Sequence, residues 1–190
     1  MRMRSGQALA AGRSPAVSHR FVRLSRISPL LVRAVIVAED AGFYGHGGVD
    51  YDEVWASMQR NFERGELSRG ASTITQQLAK NLYLSPSRNP YRKFKELMIA
   101  RRLEAELSKS RILELYLNLI EWGDGVWGAE AASLRYFGVS ASDVTIEQAA
   151  LLAGAIINPR LYSPARPNAR LLRRQQIILS RMFPPAASER

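Results

Sequence analysis

Two glutamates carry the chemistry that this sequence can offer. Glu39, with Asp40 beside it, follows the apolar run Leu30-Leu31-Val32-Arg33-Ala34-Val35-Ile36-Val37-Ala38 and precedes Gly42, Phe43, Gly45 and His46. A carboxylate at the edge of apolar packing can have its pKa raised toward neutrality, where it can serve as a base. Glu96 sits among Arg92, Lys93 and Lys95. As helix-surface ion pairs these would contribute only a few tenths of a kcal/mol, and cation before acid is the poorer order. Three cations around one carboxylate fit an anion site with an embedded acid better, and they would keep Glu96 ionised. Each motif has a plainer reading as well: a solvated Glu-Asp pair, and a charged helix face.

Between the two glutamates lies Gly70-Ala71-Ser72-Thr73-Ile74-Thr75-Gln76-Gln77-Leu78-Ala79-Lys80-Asn81. Thr73 and Gln76 have capping-box spacing. The Gly-Ala-Ser-Thr entry predicts free N–H groups at a positive helix end, a seat for an oxyanion or phosphate. Gln76 and Lys80, and Gln77 and Asn81, are four residues apart and share a polar face. The plain alternative is a well-capped surface helix.

These residues need elements to position them. Ser28-Pro29 is a cap followed by a helix-opening proline, so the apolar run to Ala38 reads as a buried helix. Asp50 or Tyr51 opens a second helix to about Phe62, with Val54, Trp55 and Met58 at helical spacing. Gly65 to Gly70 and Ser85 to Pro90 read as loops. Tyr91 to about Leu107 reads as an amphipathic helix with Phe94, Leu97, Met98, Leu103 and Leu107 on its apolar face. Ser110 is expected to cap a helix from Arg111 to Asn118, in which Glu114 reads as structural. Glu121 to Gly128 reads as a loop rich in glycine and tryptophan. Tyr136-Phe137-Gly138 ends an alanine-rich helix. Thr145 caps another that Asn158-Pro159 stops, and Leu171 to Met182 is a last amphipathic helix, basic on one face. The expected fold is mainly α, with no repeat and no internal domain boundary.

The 190 residues suffice for one domain with a real core. A net charge of +10 favours polyanionic partners such as nucleic acid, anionic lipid or a phosphorylated substrate. The absence of cysteine excludes disulfides, thiolate metal sites and a cysteine nucleophile. No apolar run reaches the ~18 residues of a membrane span. Residues 1–20, basic and rich in small residues, read as a disordered leader, and 21–185 as the folded domain. His46 has no second histidine near it in sequence, which favours a hydrogen-bonded structural role over a ligand.

Taken in order, Glu39-Asp40-x-x-Phe43-x-x-His46, the stretch Gly70 to Asn81, Arg92-Lys93-x-x-Glu96 and Arg111-Ile112-Leu113-Glu114-x-Tyr116-Leu117-Asn118 resemble the successive motifs of the peptidoglycan glycosyltransferases, glycosyltransferase family 51. Gly125-x-Trp127-Gly128-Ala129-Glu130-Ala131-Ala132 and Asn158-Pro159 continue the resemblance, which spans about residues 23–182. No Ser-x-x-Lys transpeptidase unit follows, so the monofunctional branch is expected. The resemblance implies a lysozyme-like helical large lobe with a small membrane-facing lobe. It implies polymerisation of lipid II, with inversion at the anomeric carbon and release of undecaprenyl diphosphate. Glu39 matches the first catalytic glutamate and would be the general base; Glu96 matches the second.

The substrate-binding residues expected on this basis are Ser72, Thr73, Gln76, Gln77, Lys80, Asn81, Arg88, Arg92, Lys93 and Lys95. A divalent cation, Mg²⁺ or Mn²⁺, is expected as cofactor, with Glu96 as its ligand. The expected partners are lipid II, the nascent glycan chain, an anionic membrane surface and proteins of cell-wall synthesis or division; nucleic acid is not expected. Phe62, Leu67, Leu82, Tyr83 and Leu84 are candidates for dipping into the headgroup region, with core packing as their alternative. The implied location is the outer face of the bacterial cytoplasmic membrane. Family members carry a transmembrane anchor, and none is visible in this chain. Two other readings stay open: a lysozyme-like enzyme that cleaves finished glycan, and a non-catalytic basic module for membrane surfaces or nucleic acid.

Overall fold

The computed structural model describes residues 18–64, 72–84 and 90–183. It is mainly helical, with eight α-helices among the described residues. They are α1 (Pro29–Glu39), α2 (Tyr51–Arg64), α3 (Ile74–Tyr83), α4 (Pro90–Glu106), α5 (Lys109–Leu119), α6 (Ala129–Phe137), α7 (Ile146–Ala155) and α8 (Ala169–Met182). Three short strands, β1 (Ser18–His19), β2 (Glu121–Gly123) and β3 (Val126–Trp127), form a sheet in the order β1-β3-β2. β1 runs parallel to β3, and β2 antiparallel.

Local sequence explains most helix starts. Ser28 accepts from the Leu30 N–H and Pro29 opens α1. Thr73 with Gln76, and Thr145 with Gln148, form complete capping boxes on α3 and α7, each such cap contributing about 1 kcal/mol. Asp50 accepts from the Glu53 N–H and starts α2. Gly138 ends α6 with φ +70°, a conformation open to glycine without strain.

Several expectations need correction. The cap of α5 is Ser108, not Ser110, and its side chain accepts from the Arg111 N–H. Glu121 to Trp127 is not a loop: it holds the β2–β3 hairpin. Ser18 and His19, placed in the leader by their composition, pair with Val126 and Trp127; residues 1–17 lie outside the described residues. The expected apolar face of α4 meets the core only in part, through Leu103 and, just beyond the helix, Leu107. Phe94 and Met98 are more than half exposed, whereas Ala100 is fully buried.

Two helix groups make up the core. α1, α7 and α8 pack on one another, and α3, α4 and α5 form a second group. Leu31, Ala34 and Val35 bury one side of α1, and Ile112, Leu113, Tyr116 and Leu117 bury one side of α5. Each fully buried large apolar side chain contributes about 1.5–3 kcal/mol. Trp122 is buried with its Nε1–H donating to the Leu117 carbonyl at 3.1 Å, so its burial leaves no polar atom unmet. Glu114 is structural: it accepts from the Leu24 N–H and pairs with Arg111.

Candidate active site

A cleft of about 990 Å³ runs between the two helix groups. Ala38 and Glu39 at the end of α1, Ile156 and Ile157 after α7, and Arg174 and Arg181 of α8 form one side. Ser72, Gln77 and Lys80 around α3, with Lys93, Phe94 and Met98 of α4, form the other. The apolar residues of α4 that the core does not take therefore line this opening.

Glu39 ends α1, so its position follows from where that buried helix stops. Its side chain is 10% exposed. Oε2 accepts from Gln77 Nε2 at 2.9 Å, and Oε1 accepts from Arg174 Nη2 at 3.3 Å. Burial pushes the carboxyl above the ordinary glutamate range. The Gln77 hydrogen bond, Arg174 and the charge of Lys80 pull it back part of the way. A carboxylate so placed is poorly hydrated and more basic than an ordinary glutamate, with an open cleft before it, and in its ionised form it can take a proton from a hydroxyl.

Asp40 and His46 build the support beneath. His46 Nε2 meets Asp40 Oδ1 at 2.9 Å, the structural role expected of the histidine. Asp40 Oδ2 accepts from the Ile74 N–H at 2.9 Å, tying the end of α1 to the start of α3. That bond corrects the expected anion seat. The Ile74 amide is taken by Asp40 and the Gln76 amide by Thr73 Oγ1, so these two N–H groups are not free for phosphate.

The remaining candidates divide. Thr73 is buried; its hydroxyl donates to the Gly48 carbonyl and caps α3. The Gln76 side-chain oxygen accepts from the Thr73 N–H. Both are therefore spent on the helix start. Gln76 nonetheless lines the cleft together with Ser72, Gln77, Lys80 and Lys93. Asn81 is exposed and lies one turn beyond Gln77. Glu96 is buried, with Lys93 Nζ at 2.5 Å from Oε1 and Arg92 Nη1 at 3.3 Å from Oε2. Lys95 does not join them: its ammonium stacks over the Tyr91 ring at 4.7 Å, a cation–π contact. Three cations adjacent in sequence point different ways around a helix, and only those three and four residues before Glu96 reach it. Arg88 and Leu67 lie outside the described residues, as does the side chain of Phe62.

Glu96 does not fit a divalent cation. Both its oxygens already meet a positive charge, and a metal there would face two cations at close range. Among the described residues only Asp40, His46 and Asp50 bring three metal-capable side chains within 4.8 Å of one another. Both Asp40 oxygens are taken, by His46 Nε2 and the Ile74 N–H, and Asp50 Oδ1 accepts from the Glu53 N–H, whereas His46 Nδ1 is buried without a hydrogen-bond partner.

The sequence shows the basic face of α8 but not that Arg174 meets Glu39. A helical domain with a buried carboxylate facing lysines across an open cleft has the layout of an enzyme that moves a proton beside an anionic group. The chain belongs to the transglycosylase family, whose sequence model matches residues 5–183. It is 50% identical over 167 residues to the biosynthetic peptidoglycan transglycosylase of Methylobacillus flagellatus, covering 88% of this chain and 73% of that protein. Over 166 residues it is 50% identical to the protein of the same name from Nitrosomonas eutropha, covering 87% and 68%. The corresponding protein of Thiobacillus denitrificans is 46% identical over 181 residues, covering 95% and 78%.

Proposed function

We propose that this chain is a peptidoglycan glycosyltransferase that polymerises lipid II into glycan strands, with Glu39 as general base. The observation that carries the reading is Glu39 itself: a desolvated carboxylate held by Gln77 and Arg174 at the edge of the cleft, with Lys80 and Lys93 also lining it. The acceptor is the 4-hydroxyl of the N-acetylglucosamine in an incoming lipid II, a poor nucleophile near neutral pH. Glu39 takes its proton as the oxygen bonds to the anomeric carbon of the growing chain. The bond from that carbon to the diphosphate breaks on the opposite face. One displacement inverts the configuration, and undecaprenyl diphosphate leaves with the electron pair.

The leaving diphosphate needs positive charge where its own charge grows. Lys80 and Lys93 supply it from the cleft, and Ser72, 3.5 Å from Lys93 Nζ, lies beside them. Glu96 orients Lys93 and Arg92. No step is assigned to a metal ion.

A polyprenyl substrate lies in a bilayer. Tyr51, Trp55, Leu82, Tyr83, Phe94 and Met98 are exposed apolar or aromatic residues on α2, α3 and α4. Together with the net charge of +10 they suit contact with an anionic membrane surface. No helix among the described residues is long and apolar enough to cross a membrane. The reading places the chain at the outer face of the bacterial cytoplasmic membrane.

Labelled lipid II with the chain in detergent should yield glycan polymer. Glu39→Gln should lower the rate by roughly 10²- to 10⁴-fold while lipid II binding persists. Polymerisation by Glu39→Gln at the wild-type rate would overturn the base assignment. Cleavage of finished glycan without polymer would favour the lysozyme-like reading.

A further inference from the structure

Tyr116 of α5 is fully buried in the core. Its hydroxyl donates to Gln77 Oε1 at 2.9 Å, and Gln77 Nε2 donates to Glu39 Oε2 at 2.9 Å. Three helices thus contribute one link each: a phenol from α5, an amide from α3 and a carboxylate from α1. A neutral phenol offers one proton, and an amide oxygen only accepts, so the direction of the chain is determined. Gln77 Nε2 also lies 3.5 Å from the Ser72 carbonyl.

We infer that Tyr116 is a positioning residue for the base: by holding the Gln77 oxygen, it keeps the amide N–H turned toward Glu39 and disfavours the protonated form of that glutamate. The inference rests on Glu39 being the general base. A donor facing a carboxylate stabilises its charged form. Once Glu39 has taken a proton, its new O–H needs an acceptor. The amide already in contact with that carboxyl is Gln77, and Tyr116 holds its oxygen away. The glutamate is thereby driven to pass its proton on and return to the ionised state. Without the phenol, the amide can turn about its last torsion and offer its oxygen to the protonated acid.

The other charges facing Glu39 leave this role in place. Arg174 of α8 meets the opposite oxygen, Oε1, and Lys80 of α3 acts through its charge rather than through the amide. Asp40 is engaged with His46 and Ile74. Burial, with the negative charges of Glu39 and Asp40, raises the Tyr116 hydroxyl well above the ordinary tyrosine range. It therefore stays a donor at every pH at which the protein would work.

The test is the pH profile of kcat/KM for lipid II polymerisation by Tyr116→Phe. The acidic limb should move up by about 0.5–1 pH unit, with a loss of about 3- to 10-fold below the limb. In a Gln77→Met background, Tyr116→Phe should add no further shift. An equal loss at every pH with the limb in place would overturn the inference, as would the same shift persisting in Gln77→Met. Carboxyl ¹³C NMR titration of Glu39, in wild type and in Tyr116→Phe with its folding checked by thermal melting, reads the same effect without turnover. If Glu39→Gln polymerises normally, the base reading fails; if Glu39→Gln is inactive and the NMR titration does not move, only the role of Tyr116 fails.

Discussion

Arg174 Nη2 lies 3.3 Å from Glu39 Oε1, joining the last helix to the end of the first across most of the chain. The pair is partly buried, with side-chain exposures of 30% and 10%. Desolvation alone would move Glu39 toward its neutral form, and the guanidinium opposes that shift. α8 therefore does more than close the core.

Arg174→Gln removes that opposition. A hydrogen bond to a charged group contributes about 1.5–3 kcal/mol, so kcat/KM should fall by about 10- to 100-fold at neutral pH. The loss should shrink as pH rises, because the base is restored by deprotonation. A rate assay of the variant from acid to alkaline pH checks both.

The wild-type profile carries its own expectation. The Glu39 carboxyl is raised by burial, so activity should be lost, as pH falls, at a value above the ordinary glutamate range. The sign for stability is the reverse of that for a carboxylate whose pKa is lowered on folding. The unfolded chain gives up this proton at lower pH than the folded one, so the contribution of Glu39 to stability declines as pH rises between the two values. Denaturant melts across that window should show the decline in wild type, with a smaller one in Glu39→Gln.

Glu96 holds Lys93 and Arg92 from a buried position. Glu96→Ala removes the carboxylate that holds Lys93 at the cleft. Polymerisation should fall by roughly 10- to 100-fold, about 1.4–2.8 kcal/mol in the transition state. Glu96→Gln should lose less, because the amide oxygen still accepts one donor. Steady-state kinetics with labelled lipid II distinguish the two.

Glu96 is held between two cations, and in the Asp40–His46–Asp50 group both Asp40 oxygens and Asp50 Oδ1 are hydrogen-bonded, leaving His46 Nδ1 as the buried atom without a partner. Adding millimolar Mg²⁺ or Mn²⁺, or removing it with chelator, should therefore leave the melting temperature of the protein alone within about 1 °C. A rise of several degrees with metal would reveal a resident site.

Gly128 has φ +86°, and a Cβ there would lie 2.8 Å from the Asn118 backbone oxygen. Neither the conformation nor the backbone contact yields easily. Gly128→Ala should destabilise the fold by about 1–3 kcal/mol, read by chemical denaturation. The cleft lies elsewhere, so surviving folded protein should keep its activity.

Much of this protein was determined locally. Ser28-Pro29, Thr73 with Gln76, and Thr145 with Gln148 satisfy their own helix starts within three residues, and the sequence alone shows them. Glu39 is legible as a carboxylate at the end of an apolar helix, and Glu96 as one with cations a turn before it. What tertiary structure decided are the meetings across the chain. Asp40 takes the Ile74 amide, which turns an apparent phosphate seat into a structural joint. Tyr116 and Arg174 reach Gln77 and Glu39 from helices far along the chain. Lys95 turns to Tyr91, and Phe94 and Met98 line the cleft instead of the core. Spacing along a helix determines which side chains share a face. Which face becomes core, cleft or partner depends on how the helices pack, and that is a property of contacts between segments that no single segment encodes.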